Sequence, residues 1–118
     1  MRLQIVGIEN RGMAQLERLH LSVISQTSLS YIMVVATNYV SPNGLVWGGR
    51  QTFWFPNVIV ATGDHVYLYS RGASITDVPP PKNMHFFYWG QPRTLWNAPE
   101  DCAVLFEINS WQTSPYGS

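Results

Sequence analysis

Charge is scarce in this chain. Seven Lys plus Arg balance seven Asp plus Glu, and charged residues make up 12% of its 118 residues, about half the usual ~25%. Arg2, Arg11, Arg18, Arg50, Arg71 and Arg93 are scattered along the sequence, and the net charge is near zero. That balance supplies no electrostatic footprint for nucleic acid or for an anionic membrane, so neither is expected as a partner. Cysteine is nearly absent too. Cys102 stands alone, which excludes an internal disulfide and fits a reducing compartment. Long apolar runs are missing: no stretch approaches the ~18 residues a spanning helix needs. The opening MRLQIVGIEN holds a short apolar run cut off by Glu9, without the length or cleavage site of a signal peptide. The expectation is a soluble, cytoplasmic protein with no membrane association.

Motifs of catalysis are equally sparse. Neither the nucleophile elbow G-x-S-x-G nor the phosphate-cradling G-x-x-x-x-G-K-[ST] occurs. His20, His65 and His85 lack the paired spacing of a zinc site, although His65 and His85 each open an extended segment and could be sheet neighbours. Cys102 belongs to an apolar run, where a thiol acts as a small hydrophobe and burial keeps it protonated and inert. Glu100 and Asp101 are adjacent, so a strand sends them to opposite faces. They cannot flank a glycosidic bond as a catalytic pair, and solvation of a corner is their expected role. These absences predict a protein that is not an enzyme, with no catalytic residue, cofactor or metal.

What is present is a period of two. In ERLHLSVIS, Leu19, Leu21 and Val23 alternate with Arg18, His20 and Ser22, the pattern of a strand with one apolar and one wet face. Tyr31 to Thr37 is apolar on both faces and rich in β-branched residues, as a central strand is. Further strands are expected at Leu3 to Ile8, Arg50 to Pro56, His65 to Arg71, His85 to Trp89 and Cys102 to Asn109, with Val58 to Ala61 either a short strand or an extended crossing. In the last, Cys102, Val104, Phe106 and Ile108 share one face, expected to be the core face. Turns are expected at Ser41 to Gly44 and Thr62 to Asp64, a stiff loop at Asp77 to Lys82, and at most one helical turn at Met13 to Arg18. Short strands at regular spacing indicate a sandwich or barrel. A chain this long fits one domain, residues 1–118, and buries roughly two-thirds of its unfolded surface.

Aromatics are plentiful, with five Trp, six Tyr and five Phe. Trp54, Trp89 and Trp96 sit in or beside strand patterns and are expected to fill the core. Trp47 sits in LVWGGR, where two glycines loosen the backbone, and with Arg50 it is a candidate ligand or partner contact. Trp111 follows the last strand, either capping the core or meeting a partner.

The order of these pieces resembles the lamin-tail domain, an immunoglobulin-like β-sandwich. The resemblance rests on ERLHLSV, on FWFPNVIVATGDHVYLY and on LWNAPEDCAVLFE. Phe55-Pro56, Val58 to Ala61, Gly63-Asp64 and Val66 to Tyr69 follow the family's Phe-Pro, apolar, Gly-turn and strand order. Trp96-Asn97 and Asp101 through Leu105 follow its corner and final strand. Pro99-Glu100 departs from the glycine common before the acid, and the Asp77 to Lys82 loop is atypical. The resemblance implies an all-β, single immunoglobulin-like sandwich of about seven to nine strands. It also implies a binding or scaffolding module without a catalytic site, and it transfers no functional residue. The expected function is a non-enzymatic protein-interaction module that self-associates, with a protein partner or a homo-oligomer. The alternative is a carbohydrate or small-ligand binder using exposed aromatics.

Overall fold

Alternation along the chain turns into two facing sheets. The computed structural model describes residues 1–41, 44–45 and 51–117, with the side chains of residues 40, 41 and 45 also outside the description. The first sheet has the order β1 (Leu3–Glu9), β2 (Arg18–Val23), β8 (His65–Tyr69) and β9 (Met84–Tyr88). Its pairs are antiparallel except β8 with β9, which run parallel. The second sheet has β4 (Ile32–Ser41) between β10 (Asp101–Glu107) and β6 (Gln51–Trp54). The short β5 (Gly44–Leu45) folds back on β4, and a two-residue ladder joins β3 (Thr27–Ser28) to β7 (Ile59–Val60). A 3-10 turn, Leu29–Tyr31, leads into β4. Ten strands thus form among the described residues, three of them only two residues long.

The core lies between the sheets. From the first sheet come Leu3, Leu19, Leu21, Val23, Val66 and Leu68, and from the second Ile32, Val34 and Ala36. An aromatic seam joins them: Phe55 meets Phe87 and Phe53 edge-on at 5.2 and 5.0 Å, and Trp89 meets Trp96 at 6.1 Å. Trp96 is wholly buried and Trp89 packs against the core, as expected of both. Trp54 is a correction. It is 49% exposed, because alternation along β6 turns Phe53 inward, opposite Val34, and Trp54 outward, opposite Met33.

The closing strand needs a second correction. Ala103 and Leu105 pack on the core, opposite Ala36 and Val34. Cys102, Val104 and Phe106 lie opposite Thr37, Val35 and Met33, on the outer face of the second sheet. Their face is apolar, but between its terminal acids so is the other, and a strand with an apolar middle on both sides carries little signal for which side turns in.

Met13 to Glu17 forms a single turn, with the amides of Leu16 and Glu17 both bonded to the Met13 carbonyl. Thr62 to Asp64 is the expected turn, with Gly63 at φ 89° where a side chain would be strained. Asp101 does more than solvate its corner. Its carboxylate reaches back to accept from the amides of Asn97 and Ala98 at 3.1 and 2.9 Å, closing the corner from its far end.

Candidate functional site

The two outer faces of the sandwich differ in kind. On the first sheet, alternation places Arg18 and His20 of β2 beside Tyr69 and Tyr67 of β8, which lie in turn beside Tyr88 and Phe86 of β9. The Arg18 guanidinium lies 3.9 Å over the Tyr67 ring, donates to Tyr69 Oη at 2.9 Å and pairs with Glu9 at 2.7 Å. Arg71 reaches over Tyr69 and Tyr88 and makes a two-pronged pair with Asp77. Each cation on this face meets a carboxylate and a ring, so the ladder is neutral and satisfied within itself.

The histidines belong to this half of the molecule. Glu9 Oε2 lies 3.2 Å from His20 Nδ1, and His20 Nε2 lies 2.9 Å from His65 Nδ1. Burial favours the neutral imidazole of His20 and lowers its pKa, partly opposed by the Glu9 charge. His85 lies on the opposite side of its strand, beside Val66 in register, with Nε2 2.9 Å from Asp64. That bond, with the Ala61 amide, holds the Asp64 carboxyl below its ordinary range. Cys102 is in the other sheet, away from all three imidazoles. Burial, then the Asp101 charge, raises its thiol pKa, which disfavours the thiolate a nucleophile requires. Among the described residues, no three His, Cys, Asp or Glu side chains group in a way that could hold a metal. No helix among them is long and apolar enough to cross a membrane.

The outer face of the second sheet is of the opposite character. β4 and β6 contain no charged residue, and the acids of β10, Asp101 and Glu107, stand at its two ends. Register sets Phe106, Met33 and Trp54 in one row across three strands, with Val104, Val35 and Thr52 in the next. Trp111 extends the first row. It is 48% exposed, meets Trp54 edge-on at 5.2 Å and 82°, and meets Tyr31 at 5.7 Å. The Trp54 indole is anchored by a 2.7 Å bond from Nε1 to the Ser30 carbonyl. Trp111 therefore lies on the sheet's outer side and not over the end of the core. Trp47 and Arg50, the other two candidates, lie outside the described residues. Trp54 and Phe106 join this patch unforeseen. The signal available for both is strand parity, which does not by itself say which face turns inward.

Between the sheets one side is open. A groove of about 590 Å³ separates β1 from β10, lined by Leu3, Ile5, Ile24, Tyr39, Ala103 and Leu105 among others. Ile5 is aligned with Leu21 on the inner side yet remains exposed, because no strand among the described residues covers this seam. Comparison of the chain with protein-family models and with curated proteins finds no match.

Proposed function

We propose that the chain is a non-enzymatic protein-interaction module on an immunoglobulin-like, lamin-tail-like sandwich, with the outer face of the second sheet as its contact surface. The observation that carries this reading is the uncharged aromatic row of Phe106, Met33, Trp54 and Trp111. Protein interfaces exclude charge from their centres and concentrate Trp, Tyr, Phe and Met there, and a contiguous apolar face on a sheet marks a contact site. The lamin-tail resemblance agrees with the placement of its matched residues. Phe55, Val66, Leu68 and Trp96 are buried and Asp101 closes the corner, all structural roles.

The carbohydrate reading is weaker on this face. Sugar platforms use ring faces open to solvent, whereas Trp54 and Trp111 meet at 82°, so that the edge of one covers the face of the other. Light scattering over a concentration series, with and without Trp54→Ala and Trp111→Ala, tests the proposal. Association is expected to weaken by tenfold or more, the scale of interface hot spots (about 2 kcal/mol), while the melting temperature changes little. An unchanged mass profile, or a melting temperature that falls in step with association, would count against it. Indole fluorescence that responds to a glycan titration, and loses the response in Trp111→Ala, would favour the sugar reading.

A further inference from the structure

Resting on that reading, the geometry points to a specific partner: a second copy of this chain, added through the edge of β10 that no strand pairs among the described residues, with Val104 on the two-fold axis. The argument begins with backbone parity. The Tyr39 amide bonds to the Glu100 carbonyl and the Ile108 amide to the Tyr31 carbonyl. Seven consecutive pairs between these points keep one unbroken register. In an antiparallel ladder, residues alternate between bonding to one neighbour and to the other side. The even-numbered residues therefore bond to β4, and the amides and carbonyls of Ala103 and Leu105 point away from it, toward the open seam.

Unpaired edges are usually blunted. β1 carries a register shift between Ile5 and Gly7, and β9 follows the run Pro79 to Pro81. β10 has no register shift, no proline and no charge between its ends. Its ends are held instead: Arg11 Nη1 donates to the Asp101 carbonyl at 2.9 Å, and the Arg2 amide donates to Glu107 Oε1 at 2.8 Å. What is left open is the stretch around Val104.

Antiparallel pairing centred on Val104 fills that stretch. It sets Ala103 against the partner's Leu105 and the reverse, giving four backbone bonds from groups that otherwise face the groove. The side chains match in size. On the inner side the partner's Leu105 lies beside Ala103 and enters the apolar groove lined by Leu3, Ile5 and Ile24. On the outer side Cys102 lies beside the partner's Phe106. The interface is isologous, as most homodimers are. It makes one continuous sheet of the two copies and doubles the outer contact face. Trp54 lies two strands from this seam and Trp111 packs edge-on against it, so the β10 pairing and the tryptophan patch are separate contacts.

The full chain supplies the test. Ala103→Pro removes only an outward amide and leaves the β4 ladder intact, the one place where an edge strand tolerates proline. Its far-UV spectrum and cooperative melting are expected to persist. Two bonds per dimer are lost, raising the dimer dissociation constant by tenfold or more, at about 1 kcal/mol per bond. Independently, Val104→Cys in a Cys102→Ser background is expected to form an intermolecular disulfide with oxidised glutathione, since facing non-bonded residues lie about 4.5 Å apart at Cα. The unaltered chain should not cross-link, because Cys102 and its symmetry mate are displaced by about 13 Å along the strands.

A dimer that survives Ala103→Pro, or a cross-link through Cys102 in place of Cys at 104, would overturn the pairing. If such a dimer still weakens with Trp54→Ala and Trp111→Ala, the interaction-module reading stands without it. A chain that stays monomeric at every concentration overturns both.

Discussion

Glu17 is the residue on which the loops depend. It is 1% exposed, and its carboxylate accepts the amide of Leu95 on Oε1 at 2.8 Å and those of Gly12 and Trp96 on Oε2 at 2.8 and 3.2 Å. A buried carboxylate is costly unless its lone pairs are satisfied. Here three backbone donors do so, tying the β1–β2 connection to the segment that carries Trp96 into the core. Glu17→Ala strands those donors in the interior, and the expected loss is about 3 kcal/mol, from roughly 1–3 kcal/mol for each unsatisfied group with partial relief by water. Chemical denaturation measures it. Glu17→Gln, which keeps one acceptor oxygen, should lose less, and equal stability of all three proteins would refute the clamp.

At the scale of elements, β10 decides more than any other strand. It contributes Ala103 and Leu105 to the core and Cys102, Val104 and Phe106 to the outer face. The two faces must therefore respond differently to truncation. Leu105→Ala is expected to cost about 2 kcal/mol, the low end for a core leucine because its burial is partial. Phe106→Ser, on the outer side, should cost less than about 1 kcal/mol. Urea unfolding of the two variants at low protein concentration, where association does not contribute, distinguishes the faces. A larger loss in Phe106→Ser would return the strand to the opposite orientation. The same parity leaves the outward amide of Ala103 available to a partner, so one geometric fact governs both the core and the edge.

At the scale of the whole molecule, His20, Asp64 and Asp77 all belong to the half built on the first sheet, and stability should follow pH through them. The His20 pKa lies below its ordinary value of 6.5 in the fold, mainly through burial. The unfolded chain therefore takes up its proton first as pH falls, and stability declines from 6.5 downward until the folded form is protonated as well. Asp77, held low by Arg71 and the Ser74 amide, and Asp64, held low by His85 and the Ala61 amide, lie below 3.8. Their contribution is present above 3.8 and disappears as pH falls through their folded values. Melting temperature against pH should show two descending steps on acidification. His20→Gln is expected to flatten the upper step, and Asp77→Asn to lower the neutral plateau and flatten the acid limb. A profile unchanged by His20→Gln would show that its burial does not control the upper step.

The sequence by itself determined where strands run and turn, because side-chain alternation and the chemistry of Gly, Pro, Asn and Asp act locally. ERLHLSV could be oriented directly, since its polar residues exclude one face from the core, and Leu19, Leu21 and Val23 are indeed buried. DCAVLFE and QTFW could not be oriented in this way. QTFW has one polar and one aromatic residue on each face, and the middle of DCAVLFE is apolar on both, so a one-residue change of parity exchanges core and surface at little local cost. Only pairing with β4 resolved it, and so moved Trp54 and Phe106 to the surface beside Trp111. Glu17 was illegible for a related reason. Its carboxylate is satisfied by amides 78 and 79 residues away, and no local pattern announces a donor that only the packed fold brings near. Burial, edge exposure and the open seam between β1 and β10 depend on how the sheets meet, so the tertiary structure decided the surfaces on which the proposed function rests.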